Sequence, residues 1–144
     1  MRLKVCTLIA SALAPTFAAA SDWQAVPATR ESIAVQVDRS SIARRGQFVQ
    51  AWIRYVYATP LKGVPTDPQS HIPVKAVLTL KLFDCTRRMV TTKRMIYMTG
   101  PSGDREIVPS VDFAEPESKF ADIVPDSSQE AELAVSCEIA RLLP

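Results

Sequence analysis

Few residues of this 144-residue chain have the type and spacing that catalysis requires. The single histidine, His71, would have to serve any Ser–His–Asp or Cys–His arrangement. It stands in a proline-rich stretch, residues 59–73, which predicts a long exposed loop rather than a rigid catalytic scaffold. Asp38 and Asp84 follow apolar alternating segments, where an aspartate ordinarily accepts hydrogen bonds from turn amides. The sequence therefore predicts no catalytic residues and a protein that is not an enzyme, unless a carboxylate-lined pocket lies beside one of these aspartates.

Cofactor and metal sites are not predicted either. Neither Cys85 nor Cys137 has another cysteine or a histidine at ligand spacing. The chain lacks a P-loop and a dinucleotide fingerprint, and Gly100 and Gly103 are too few to cradle a phosphate.

The N-terminal segment has the three-part pattern of a secretory signal. Two basic residues precede an uncharged, mostly apolar run at 5–14, and small alanines occupy 18–20. A spanning helix needs about 20 apolar residues, so this run is too short for a membrane anchor. We therefore expect residues 1–20 to be a cleaved signal peptide and 21–144 to be one exported domain. A cytosolic protein with a buried N-terminal helix is the alternative.

Charge and cysteine content change once the signal is removed. The full chain has 17 Lys+Arg against 15 Asp+Glu, and Arg2 and Lys4 leave with the signal, so nothing in net charge favours nucleic acid as a partner.

Cys6 also leaves with the signal, and its place at the start of the apolar run argues against lipidation. Cys85 and Cys137 remain, and an oxidising compartment favours one bond between them. Two free thiols or an intermolecular bridge are the alternatives.

Basic and aromatic residues offer the remaining candidates for binding. Arg87, Arg88, Lys93 and Arg94 together predict a basic patch suited to heparin-like or acidic protein surfaces. Solvated charge that protects strand edges from pairing is the alternative interpretation. The two tryptophans, Trp23 and Trp52, are predicted to pack in or beside the core.

These residues must be positioned by strands and one helix. Period-2 alternation predicts strands at 33–37, 48–58 and 74–83, with 87–98 as a hairpin partner and short edge strands near 107–108 and 120–124. Polar residues at 38–41 and 100–104 predict turns.

A capping box at the C-terminus predicts a helix. Ser127 is expected to accept from the Glu130 amide, and the Glu130 side chain to reach back to the Ser127 amide. Two apolar stripes follow, one with Ala131, Val135, Ile139 and Leu142, the other with Leu133 and Cys137; periodicity does not decide between them. The fold class is α+β, an antiparallel sheet with one C-terminal helix.

In this order and spacing, the segments are similar to the surface-adhesin protein E-like domain family of Gram-negative bacteria. The matching segments are Asp22–Trp23, Val35–Asp38 with Ser41–Ile42, Val49–Trp52, Phe83–Cys85 with Arg87–Arg88, Ile123–Pro125 with Ser127, and Cys137. The resemblance implies about six strands, a C-terminal helix and a Cys85–Cys137 disulfide.

It also implies an outer-surface, non-enzymatic binding domain whose partners are host extracellular matrix or plasma proteins. The alternative is a periplasmic structural or envelope-maintenance protein, because no lipidated cysteine is predicted.

Overall fold

The described residues of the computed structural model form one antiparallel sheet with a single α-helix packed on one face. The description covers residues 21–28, 30, 32–65, 67 and 69–144, so the predicted signal peptide lies outside it. The strands are β1 (Trp23–Val26), β2 (Ile33–Arg45), β3 (Phe48–Leu61), β4 (Val74–Asp84), β5 (Met89–Thr99), β6 (Arg105–Asp112) and β7 (Ala121–Asp122). The helix, α1, is Ser128–Leu142, and a short 3-10 turn occupies Pro116–Ser118.

Strand order follows the chain. The strands β1 to β6 pair with their sequence neighbours, and β7 pairs with the start of β5. This meander confirms the predicted α+β fold, since short connections join antiparallel neighbours without crossing. The central strand β4 is buried almost throughout, with Val74 and Phe83 fully buried. Within the described part of the chain, no helix has the length and apolarity to cross a bilayer.

The polar segment Asp38–Ser41, predicted as a turn, lies instead inside β2, which bulges there. The Asp38 carboxylate accepts hydrogen bonds from the backbone and the side chain of Ser40, at 3.0 and 2.6 Å. The Ser41 hydroxyl accepts the backbone N–H of Trp52 at 2.9 Å and so fills a place in the β2–β3 ladder. The Asp38 and Ser41 side chains thus accept backbone N–H groups where the strand register shifts, so β2 continues through the bulge.

Two further boundaries differ from the sequence prediction. Strand β3 runs to Leu61, past the start of the predicted loop 59–73, and the buried Val64 bridges to Asp67 within it. The short edge strand expected near 107–108 is the eight-residue β6.

The helix begins as predicted, with one change in its cap. Ser127 Oγ accepts from the Glu130 backbone N–H at 3.4 Å. The Glu130 carboxylate accepts the Asp126 amide at 2.7 Å, rather than that of Ser127. Acceptors therefore occupy the N-terminus of α1, where backbone amides lack intrahelical partners.

The buried face of α1 follows neither apolar stripe alone. Leu142 is 80% exposed, whereas Glu132, Leu133, Ser136 and Ala140 are buried. Small side chains at the last two positions favour close packing on β2 and β3. Five residues after Glu132 on the helix, Cys137 forms the predicted disulfide with Cys85, and their Cα atoms are 5.9 Å apart.

Candidate functional site

The helix covers only part of the sheet face on which it packs. Below it lie Val35, Val37, Ile53 and Phe83 in one apolar cluster. A second cluster, around Tyr97, occupies the rest of that face and lies beside a groove of about 390 Å³. We call this the tyrosine groove; it is lined by Tyr55, Tyr57, Leu61, Pro65, Val77, Thr79, Met95 and Tyr97.

Strand register explains why aromatic side chains gather in this groove. Tyr55, Val77 and Tyr97 lie opposite one another on β3, β4 and β5, so their side chains share one face. Tyr57 follows Tyr55 by two residues and points to the same side. Leu61 and the residues after it supply the remaining wall.

The hydroxyls of Tyr55 and Tyr57 stay protonated at neutral pH because their pKa values are raised. Burial raises the pKa of Tyr57, and the nearby Tyr97 adds to the shift. Burial, followed by the negative charge of Glu132, raises the pKa of Tyr55 further. The groove lining carries hydroxyl groups and apolar surface and contains no Asp, Glu, Lys, Arg or His side chain. Such a surface suits binding, since a few fixed polar groups on apolar walls are typical of ligand sites.

A buried polar triad, Lys81–Tyr55–Glu132, fixes the end of the groove that faces the helix. Lys81 Nζ donates to Glu132 Oε2 at 2.7 Å and to Tyr55 Oη at 2.5 Å. Tyr55 Oη donates to Glu132 Oε1 at 2.6 Å. Lys81 is 3% exposed and Glu132 is fully buried. The triad joins β3, β4 and α1, so it holds the Tyr55 ring in place.

Sequence reasoning missed both the triad and the groove. Lys81 lies on the same face as Thr79 and Phe83, and Glu132 reads as an ordinary helix glutamate. The only signal was a lysine on an otherwise buried strand face, which needs a partner. Strand alternation also placed Tyr55 and Tyr57 on one face, but it does not reveal how much of that face the helix leaves open.

The structure places the predicted basic residues in two separate groups. Arg87 and Arg88 lie in the β4–β5 turn, whereas Lys93 and Arg94 lie at the β5 bulge. Four strand residues, Met89–Thr92, lie between Arg88 and Lys93, so these two positions are about 17 Å apart along the extended chain. The two groups therefore lie at different points along the β4–β5 hairpin, and their role as one ligand surface stays a prediction.

Each of the three arginines is paired with a carboxylate. The bonds join Arg87 Nε to Asp84 at 2.8 Å, Arg88 to Glu130, and Arg94 Nε to Asp112 at 2.5 Å. Hydrogen bonds from Arg87 hold the pKa of Asp84 below its usual range, and Arg94 lowers the pKa of Asp112 in the same way. Their positive charge is thus largely compensated, and their role as a ligand surface stays a prediction.

The remaining candidates have structural surroundings. Asp38 and Asp84 accept backbone hydrogen bonds at a bulge and a turn. His71 is exposed in the loop after Val64. Trp23 is half-buried, and the guanidinium of Arg54 lies 4.5 Å from its ring centroid. Among the residues that the structure describes, no three His, Cys, Asp or Glu side chains cluster as metal ligands.

The described residues form a small α+β domain, and its family is identified by comparison. The family model of surface-adhesin protein E matches residues 23–138, so the chain belongs to that family. The domain is therefore adhesin-like. No curated protein matches the chain significantly.

Solved structures of Haemophilus influenzae protein E share the fold. One is 15% identical, covers 92% of this chain and 96% of its own, and has a TM-score of 0.59. A second crystal form is 17% identical, with coverages of 90% and 97% and a TM-score of 0.58. Protein E from a non-typeable strain is 16% identical, with coverages of 88% and 82% and a TM-score of 0.55.

Proposed function

We propose that this protein is exported to the cell surface and binds host extracellular matrix or plasma proteins without catalysing a reaction. The observation that carries the proposal is the match to the surface-adhesin family across residues 23–138. The signal-like segment at residues 1–20 provides the route of export.

The chemistry of the described residues supports binding over catalysis. The candidate carboxylates Asp38 and Asp84 are engaged in turn and bulge hydrogen bonds, and neither lines the tyrosine groove. The groove offers tyrosine and methionine side chains, residue types enriched where proteins bind one another.

A binding assay with the oxidised 21–144 domain tests the proposal. Matrix and plasma proteins would be immobilised singly, and association measured by biolayer interferometry at physiological salt. We expect saturable binding to at least one of them and none to bovine serum albumin. The same domain, reduced and alkylated, is the control for non-specific adsorption. A panel with no signal above albumin would contradict the proposal.

A further inference from the structure

We propose that the tyrosine groove binds a segment of a partner protein in which an apolar side chain is flanked by carboxylates. This inference rests on the proposed function, because it names the chemistry of the protein ligand. It is carried by the juxtaposition of an apolar groove with a cluster of unpaired cations at the end away from the helix.

The groove floor is fixed enough to recognise a shape. Tyr55 is held by the Lys81–Tyr55–Glu132 triad, and Tyr97 is 3% exposed. Met95 lines the groove beside Tyr97, opposite Thr79 on β4, and its flexible thioether can adapt to different apolar partners. An apolar side chain that enters this groove therefore meets preformed aromatic walls, which reduces the entropy lost on binding.

Cations surround the other end of the groove. Lys75 Nζ donates to the carbonyls of Tyr57 and Ala58, at 2.6 and 3.2 Å, which leaves one of its three donors free for a ligand. Lys62 adjoins Leu61, and Leu61 lines both the tyrosine groove and a neighbouring hollow of about 460 Å³.

Two further basic side chains extend this end. His71 lines the same hollow as Lys62. Arg105 pairs with Thr99, two residues beyond the Tyr97–Ile107 pair on the same face of the sheet.

Lys62 and Lys75 differ from the predicted basic patch in having no carboxylate partner. Among the described residues, neither has a carboxylate oxygen within 4.0 Å, unlike Arg87, Arg88 and Arg94. Arg105 is partly compensated, because Asp104 Oδ1 and the Arg105 guanidinium both lie beside Gly100. Charge complementarity therefore favours an acidic partner segment over a basic one.

Three blocked hexapeptides test the inference on the 21–144 domain. EDLFDE carries both features, KKLFKK reverses the charge, and EDSSDE lacks the apolar side chains. In a ¹⁵N–¹H titration we expect EDLFDE to shift the amides of Tyr57, Val77 and Tyr97. We expect the other two peptides to bind about tenfold more weakly, or not at all. Equal affinity for EDLFDE and KKLFKK would overturn the charge assignment.

Matched variants locate the binding site. Met95→Gln introduces a polar side chain into the groove. Met98→Gln is its control: it changes the same residue type on the same strand, but Met98 pairs with Ala76 and lies on the opposite face of the sheet. Lys62→Gln removes a cation at the groove, and Lys119→Gln removes an exposed lysine that belongs neither to the groove nor to the predicted basic patch. We expect M95Q and K62Q to weaken EDLFDE binding about tenfold or more, and M98Q and K119Q to leave it within about twofold. Unchanged binding by M95Q would overturn the proposal.

The inference and the proposed function fail in different ways. Peptide binding without any host-protein binding would leave the groove assignment standing and contradict the adhesin role. Host-protein binding that M95Q does not weaken would support the adhesin role and place its contact elsewhere. Concentration-dependent dimerisation abolished by M95Q would assign the groove to a second copy of the chain and overturn the proposal.

Discussion

At the scale of single residues, Lys81 and Glu132 lose their hydration when α1 packs on the sheet. Burying either charge alone costs several kcal/mol, and the ion pair with its Tyr55 hydrogen bonds offsets that cost. The net contribution of such a pair to stability is small, but the cost of breaking it is large. The triad therefore links the helix to the sheet through the penalty for leaving one partner unpaired.

The first prediction concerns Glu132→Gln. The substitution leaves the Lys81 ammonium buried without its counter-charge, so we expect the free energy of unfolding to fall by about 3–5 kcal/mol. Urea denaturation followed by circular dichroism measures the change. Glu138→Gln, on the exposed side of the same helix, is the control and should change stability by less than about 0.5 kcal/mol.

A double variant checks the mechanism. Lys81→Met with Glu132→Gln should cost less than the sum of the two single changes, because the second removes a charge that the first has already isolated. Additive losses would show that the two side chains do not interact.

The second prediction concerns the pH dependence due to Asp84. Hydrogen bonds from the Arg87 amide and guanidinium lower its pKa in the folded state, so the unfolded state binds the proton more readily. This contribution to stability is present above the unfolded pKa of about 3.9 and is lost as pH falls through the lower, folded pKa. Asp84→Asn should therefore be less stable than the wild type at pH 7, and the difference should shrink below about pH 4. Thermal melts across this range measure it, and a gap that widens on acidification would contradict the assignment.

At the scale of elements, the sequence predicted those strands and helix ends that depend on residues close together in the chain. Alternation of apolar and polar residues predicted β4, and the Ser127 cap predicted where α1 begins. The β2 continuation through Asp38–Ser41 depends on Ser41 accepting an amide from β3, which no local pattern reveals.

The triad and the tyrosine groove could not be predicted from the sequence for a related reason. The partner of Lys81 lies 51 residues away on α1, and the openness of the groove depends on how far the helix extends across the sheet. The arginines, by contrast, were visible as a cluster, but their carboxylate partners were not.

The third prediction concerns the link between α1 and the end of β4. The Cys85–Cys137 bond closes a separation of 52 residues, which restricts the unfolded chain. Replacing both cysteines by serine should lower the free energy of unfolding by about 2–5 kcal/mol. Reductant should bring the wild type to the stability of the double variant and leave that variant unchanged. An equal effect of reductant on both proteins would point to a cause other than this bond.

At the scale of the whole molecule, the fourth prediction concerns location. If the protein is exported and surface-exposed, protease applied to intact cells should cleave the domain, as followed by mass spectrometry. Spheroplasts with an opened outer membrane are the comparison, and a cytosolic protein monitored in parallel should stay intact in both. Protection until the outer membrane is opened would favour the periplasmic alternative and redirect the search to envelope partners.

The disulfide also determines what a single proteolytic nick does to the molecule. Residues 86–136 lie between its two cysteines and contain β5, β6 and β7. A cut at the exposed β5–β6 turn therefore leaves both fragments covalently joined, and the protein keeps its mass on a non-reducing gel. A cut near Lys62 falls outside this loop and leaves the β1–β3 fragment attached only by hydrogen bonds and packing. A nick between the two cysteines therefore removes no piece of the fold, while a nick before Cys85 can release the β1–β3 part of the sheet.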